Sequence, residues 1–197
     1  MTGVLAVQGD FKEHEEALAA AGEESFEIRG SGDLQKPFDR LVFPGGESTV
    51  QSRLVRELGL FDGLKAAIDG GIPVFATCAG MILLSGRCGG GEGCCFGTLP
   101  VNVRRNAYGR QLGSFRTEGE FDGVGIIPME FIRAPYIESA EDAVEIKSVT
   151  GGHITGVQYK NQLAVSFHPE LTGDLRLYQY WLEPGTEPGQ RHARTIK

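Results

Sequence analysis

Short apolar runs alternate with stretches of helical period through the first hundred residues. Residues 4–7, 25–29, 40–43 and 73–77 read as strands, each apolar and closed by Gly, Pro or polar turn residues, the pattern of buried strands. Between the first pair, Phe11, Ala17, Leu18 and Ala21 share one face of a predicted helix. Asp10, with Glu13 in the first turn, is placed to cap it, and Gly22 to stop it. Ser48 or Thr49 is placed to cap a second helix through Leu58, a third covers residues 60–69, and Gly70-Gly71 closes it. From Ala79 the run through Ser85 reads as helix again. Strand and helix at this spacing predict right-handed crossovers and a mostly parallel central sheet flanked by helices on both faces. Ligands of such sheets sit beyond the carboxyl ends of the strands, where the Pro44-Gly45-Gly46 loop and Cys78 fall.

The second half changes character. Residues 101–104, 129–133, 144–149, 154–159 and 163–167 all read as strands, the last two joined by a Lys160-Asn161-Gln162 turn, which predicts antiparallel additions to the sheet. A final helix over 174–182 precedes a run rich in Glu, Pro and Gly, of the composition of a mobile tail. No internal repeat or linker divides the chain, so the expectation is one α/β domain over 1–183, flavodoxin-like in plan, and a tail over 184–197.

Composition narrows the function. Of 197 residues 29 are Gly, about twice the ordinary share of ~7%, which implies tight turns and close backbone approaches. A net charge of -7 argues against a nucleic-acid or anionic-membrane surface and favours a small neutral or zwitterionic ligand. The amino terminus lacks the pattern of a signal peptide and no apolar run approaches the ~18 to 20 residues of a membrane span, so the expected location is cytoplasmic. Cys78, Cys88, Cys94 and Cys95 are then thiols in a reducing compartment. The spacing of the last three matches no standard zinc site, and no metal is expected. His14 is expected on a solvated helix face and His192 in the tail.

Cys78 ends a buried strand where a helix begins, a corner that lifts a nucleophile out of the sheet and stabilises its thiolate at the helix start. The same position suits a cysteine that is only a small apolar side chain. Partners for chemistry lie in Ser166-Phe167-His168-Pro169-Glu170. Pro169 biases His168 to an extended backbone, so His168 and Glu170 can share one side of the chain, with the carboxylate fixing the imidazole as in a nucleophile, base and orienter set. Backbone N–H groups of the Gly45-Gly46 turn and of Ala79 can meet in the same cleft to stabilise an oxyanion, and Gly80 would leave room for substrate. Neither the Gly45-Gly46 turn nor Gly89-Gly90-Gly91-Glu92-Gly93 is followed by the Lys of a phosphate loop. Arg104, Arg105, Arg110 and Arg133 could each hold a carboxylate, and spacing does not choose among them.

Pro44-Gly45-Gly46-Glu47-Ser48, Thr77-Cys78-Ala79-Gly80 and Phe167-His168-Pro169-Glu170, in that order, resemble the class I glutamine amidotransferases. The finer pattern is similar to the glutaminase subunits of two-component pyridoxal 5'-phosphate synthases. It comprises Val7-Gln8-Gly9 with Glu13-His14, Thr49, Arg105-Asn106 with Gly109-Arg110-Gln111, Phe131-Ile132-Arg133-Ala134-Pro135, and Ser166 with Leu171-Thr172. The resemblance implies hydrolysis of L-glutamine by a Cys78, His168 and Glu170 triad without a cofactor, an oxyanion hole at Gly46 and Ala79, and a glutamine-binding set of Gly46, Glu47, Ser48, Arg105, Ile132 and Arg133. It implies a synthase subunit as partner, which takes the ammonia to make pyridoxal 5'-phosphate from ribose 5-phosphate and glyceraldehyde 3-phosphate. A glutaminase of another amidotransferase, such as imidazole glycerol phosphate synthase, or a non-catalytic regulatory subunit on the same fold would share part of the pattern.

Overall fold

Val4 and Leu5 are neighbours on the first strand, yet they enter different cores. The structure is a computed structural model that describes residues 1–89, 96–105 and 114–183. In it, strands β1 (Thr2–Leu5), β3 (Arg40–Phe43) and β4 (Val74–Thr77) alternate their side chains between two apolar faces, while β2 (Ser25–Ile28) turns Phe26 and Ile28 to one of them. Leu5, Leu41, Phe43, Val74 and Ala76 enter one buried cluster, and Val4, Val42 and Phe75 the other. A strand that is apolar on both sides must be covered on both. Helices α2 (Ser48–Glu57), α3 (Phe61–Asp69) and α4 (Ala79–Leu84) cover the first face with Val55, Leu64, Ile68, Met81 and Leu83. Helices α1 (Phe11–Ala20) and α5 (Arg176–Leu182) cover the second with Ala17, Leu18, Leu177, Tyr178 and Trp181.

The remaining strands are β5 (Ser85–Cys88), β6 (Leu99–Arg104), β7 (Ser114–Phe121), β8 (Gly125–Ile132), β9 (Tyr136–Ala140), β10 (Glu145–Thr150), β11 (His153–Tyr159) and β12 (Gln162–Val165). The main sheet runs β2-β1-β3-β4-β12 with every pairing parallel. Beyond β12 it continues through β11, β9 and β6 in antiparallel steps and ends on β5, while β10 adds to β11. β7 and β8 form a separate antiparallel hairpin. The expected α/β class and mostly parallel centre are present, and the antiparallel additions are present at β11, β9, β6 and β10; β12, expected among them, instead joins the parallel centre beside β4, and β5 pairs parallel with β6.

Local differences have local causes. Neither Ser48 nor Thr49 caps α2: Glu47 does, its carboxylate accepting from Val50 N at 2.9 Å. Asp10 precedes α1 but makes no side-chain cap bond. β5, β7 and β9 were not expected. β7 reads SFRTEGEF, with charge or Gly at half its positions and only Phe121 buried, so it carries no apolar periodicity. Among the described residues no helix is long and apolar enough to cross a membrane.

Candidate active site

The parallel strands β1, β3, β4 and β12 end side by side, and β3, β4 and β12 are each followed by residues expected to do chemistry. After β4 the chain turns at Cys78 with φ 46 and ψ -102, a left-handed conformation that non-Gly residues adopt at a cost of about 1–3 kcal/mol. The turn is held by Cys78 N donating to Val165 O of β12 at 2.8 Å. Packing requires it too. α4 lies so close to β3 that a Cβ on Gly80 would sit 2.0 Å from Phe43 O. Gly80 therefore serves the helix-to-strand contact, which corrects the expectation that it leaves room for substrate. Ala79 opens α4 and is 1% exposed, and its N–H is one of the first-turn donors with no partner inside the helix.

His168 and Glu170 follow β12. His168 N donates to Glu130 O at 2.8 Å, and Pro169 starts a short 3₁₀ turn, Pro169–Leu171, that swings Glu170 back onto the ring. The carboxylate meets His168 Nδ1 at 2.7 Å, with both side chains nearly or fully buried. Since Nδ1 is held, Nε2 is the nitrogen left for Cys78, and it is buried. Burial opposes a charged His168. Asp10, Cys78 and Glu170 outweigh it and push the pKa up to about 12. The imidazole is thus built to carry a proton beside a thiol.

The Gly45-Gly46 loop after β3 presses against this histidine, since a Cβ on Gly45 would lie 2.4 Å from His168 Cε1. Gly46 has φ 145, and a Cβ there would meet Gln8 Oε1 at 2.6 Å and Gly9 Cα at 2.9 Å. Gln8 ties the loops together: its Oε1 accepts from Glu47 N at 2.8 Å and its O from Gln51 Nε2 at 2.9 Å.

Of the arginines left open by spacing, Arg105 donates to Thr49 Oγ1 at 3.0 Å and to Glu47 Oε1 at 3.4 Å, whereas Arg104 pairs with Glu138. Ile132 O lies 4.0 Å from Cys78 Sγ. The next residue, Arg133, is exposed and also left-handed, with φ 45. Ser48 is buried at the start of α2. Gly46, Glu47, Ser48 and Arg105 thus form one group, and the Ile132 carbonyl stands beside the thiol, with Arg133 next in the chain. Asn106, Gly109, Arg110, Gln111, Cys94, Cys95, His192 and the tail over 184–197 lie outside the described residues. Cys88 is buried at the end of β5.

His14 is not solvated, contrary to expectation. It is 0% exposed, with Nε2 3.0 Å from Thr77 Oγ1 and 3.5 Å from Glu170 Oε2, and Nδ1 2.8 Å from Tyr178 OH. Burial holds its pKa below the ordinary value, so it is a neutral ring behind the Glu170 carboxylate. Asp10 was the other residue missed: its Oδ2 lies 3.3 Å from His168 Nδ1. Both stand just past the carboxyl end of β1, one helical turn apart, and that placement was the available signal. Among the described residues Asp10, His168 and Glu170 also offer donor atoms within 4.8 Å of one another, a cluster that could hold a metal. The 2.7 Å contact, however, is a hydrogen bond and needs a proton on Nδ1.

Known proteins resemble this chain over most of its length. Residues 4–186 match the model of the SNO glutamine amidotransferase family. The pyridoxal 5'-phosphate synthase subunit PdxT of Desulfitobacterium hafniense (strain DSM 10664 / DCB-2) is 54% identical over 181 residues, 92% of this chain and 91% of that protein. The protein of the same name from Streptococcus pneumoniae serotype 2 (strain D39 / NCTC 7466) is 48% identical over 183 residues, 91% of this chain and 95% of that one. Among solved structures, a glutamine amidotransferase superposes with a TM-score of 0.87 at 42% identity, covering 92% of this chain and 96% of the other. PurLQS from Thermotoga maritima, at 14% identity and a TM-score of 0.69, shares the fold. The chain belongs to the SNO glutamine amidotransferase family.

Proposed function

We propose that this chain is the glutaminase subunit of a pyridoxal 5'-phosphate synthase, with residues 1–183 as the catalytic domain and 184–197 as a tail outside it. The Cys78 thiolate attacks the side-chain carboxamide carbon of L-glutamine. The oxyanion that forms is stabilised by the N–H groups of Gly46 and Ala79. His168, protonated on Nε2, gives its proton to the departing ammonia, leaving a glutamyl thioester on Cys78. Water then attacks the thioester while His168 takes the proton back, releasing L-glutamate and the free thiolate. Glu170 keeps Nδ1 protonated and the ring oriented throughout. Gly46, Glu47, Ser48, Arg105, Ile132 and Arg133 bind the glutamine, the arginines facing its α-carboxylate.

The observation that carries this reading is the strained corner at Cys78 beside a histidine whose Nδ1 is already held by Glu170 at 2.7 Å. Strain kept at a buried strand end is what a positioned nucleophile requires, and a merely structural cysteine does not require it. The names borne by the D. hafniense and S. pneumoniae relatives favour the synthase as partner. The ammonia passes directly to that subunit in the cytoplasm, and the Gln8-Gly9 loop is the proposed contact that completes the oxyanion hole on docking.

The test is a glutaminase assay of the full chain with and without the synthase subunit. The expected result is a low rate alone and a clear rise on mixing, with ammonia appearing in pyridoxal 5'-phosphate when both sugar phosphates are present. Equal rates with and without the synthase would overturn the docking step, and no incorporation of ammonia would overturn the partner.

A further inference from the structure

Asp10 stands where a helix cap would stand and does not cap. Its side chain makes no bond to the first turn of α1. Oδ2 instead lies 3.3 Å from His168 Nδ1, the nitrogen that Glu170 Oε1 approaches at 2.7 Å. Two carboxylates, one from the loop after β1 and one from the turn after β12, thus converge on a single N–H. Their meeting point depends on Gly45, where a Cβ would sit 2.4 Å from His168 Cε1 and 2.9 Å from Asp10 Oδ2. Any side chain at that position would drive the pair apart. The backbone of Asp10 is fixed to the same loop, its N donating to Gly45 O at 3.2 Å.

We infer that Asp10 is a second positioning residue on the His168 imidazole, sharing the Nδ1–H with Glu170 and holding the protonated ring opposite Cys78. The inference rests on the reading of Cys78 and His168 as nucleophile and acid–base partner. A neutral imidazole has one proton to share; at Nδ1 it is hydrogen-bonded to Glu170 at 2.7 Å, and the Asp10 carboxylate pairs with the same nitrogen at 3.3 Å. The proton exchanged with substrate is then confined to Nε2, on the side of the thiol. The two acids differ in setting. Glu170 is fully buried and Asp10 is 35% exposed, so Asp10 places its negative charge beside the ring at a smaller desolvation cost. His168 in turn holds the Asp10 carboxyl below its usual range.

The charged and titratable groups around the ring are Asp10 before α1, His14 on α1, Cys78 at the β4 corner and Glu170 on its own turn. His14 is neutral and buried, so removing Asp10 leaves Glu170 and Cys78 to favour the imidazolium. A charge lost at this distance shifts a neighbour by about one pH unit or more.

The experiment follows the His168 ring by ¹⁵N NMR in the full chain and the pH profile of glutaminase kcat/KM with the synthase present. Asp10→Asn should lower the His168 midpoint, and with it the alkaline limb of the profile, by about one unit. Asp10→Glu, which keeps the charge, should restore most of that shift, a rescue that a purely structural role would not give. Midpoints in Asp10→Asn that superpose on the unmodified protein would overturn the inference. Cys78→Ala assayed in parallel separates the two claims. If it keeps its glutaminase activity the catalytic reading itself fails, and if it is inactive while Asp10→Asn titrates normally only the role of Asp10 falls.

Discussion

His14 and His168 lie on either side of the Glu170 carboxylate, and the fold treats them in opposite ways. His168 gains negative partners and is raised to about 12, so its contribution to stability is full below about pH 6.5 and is lost as pH rises towards 12. His14 is buried as a neutral ring and lowered. Below about pH 6.5 the unfolded chain takes up a proton there that the folded chain refuses, and stability falls by up to about 1.4 kcal/mol per pH unit. Urea unfolding at pH 7 and pH 5 checks this. His14→Gln should be less stable at pH 7, because Thr77 and Tyr178 lose their partner, yet should lose less between pH 7 and pH 5 than the unmodified protein. Equal losses would contradict it. The proposed triad could be named from the sequence because a thiol, an imidazole and a carboxylate carry their chemistry in their identities. The surroundings of His14 were not, since its partner Tyr178 is 164 positions away and a histidine in a helix reads as solvated by default.

At the scale of elements, what places the thiol is the contact of α4 with β3. A helix of six residues has little stability of its own, and its position comes from packing Met81, Leu83 and Leu84 into the first core and from Gly80 lying against Phe43 O. Gly80→Ala should therefore force α4 off β3, costing about 1–3 kcal/mol and lowering glutaminase activity more than stability, because the Cys78 corner moves with the helix. Thermal unfolding and an assay of one preparation check this, and a variant with unchanged activity would contradict it. The helices and parallel strands were legible from their apolar periods. The β7 and β8 hairpin was half legible: β8 carries Ile127, Met129 and Phe131 inward, while β7 takes its form from pairing with β8 along its whole length, which composition does not reveal.

Across the whole molecule, the parallel strands bring together segments that the sequence holds far apart. The loops after β1, β3, β4 and β12 meet because β1, β3, β4 and β12 are neighbours in the sheet, so Asp10, Gly45, Cys78 and His168 share one cleft. The order of the strands was not legible, but the rule that sites form beyond carboxyl ends of parallel strands located the cleft without it. The central claim is that this cleft holds a glutamine-specific nucleophile at Cys78. Its most direct test is to treat the full chain, with the synthase present, with a glutamine analogue bearing an alkylating group in place of the carboxamide, and to locate the adduct by mass spectrometry. The expected result is one adduct per chain, on Cys78, formed in step with loss of glutaminase activity and blocked by excess glutamine. Modification of Cys88, Cys94 or Cys95 instead, or full activity after Cys78 is alkylated, would contradict the claim.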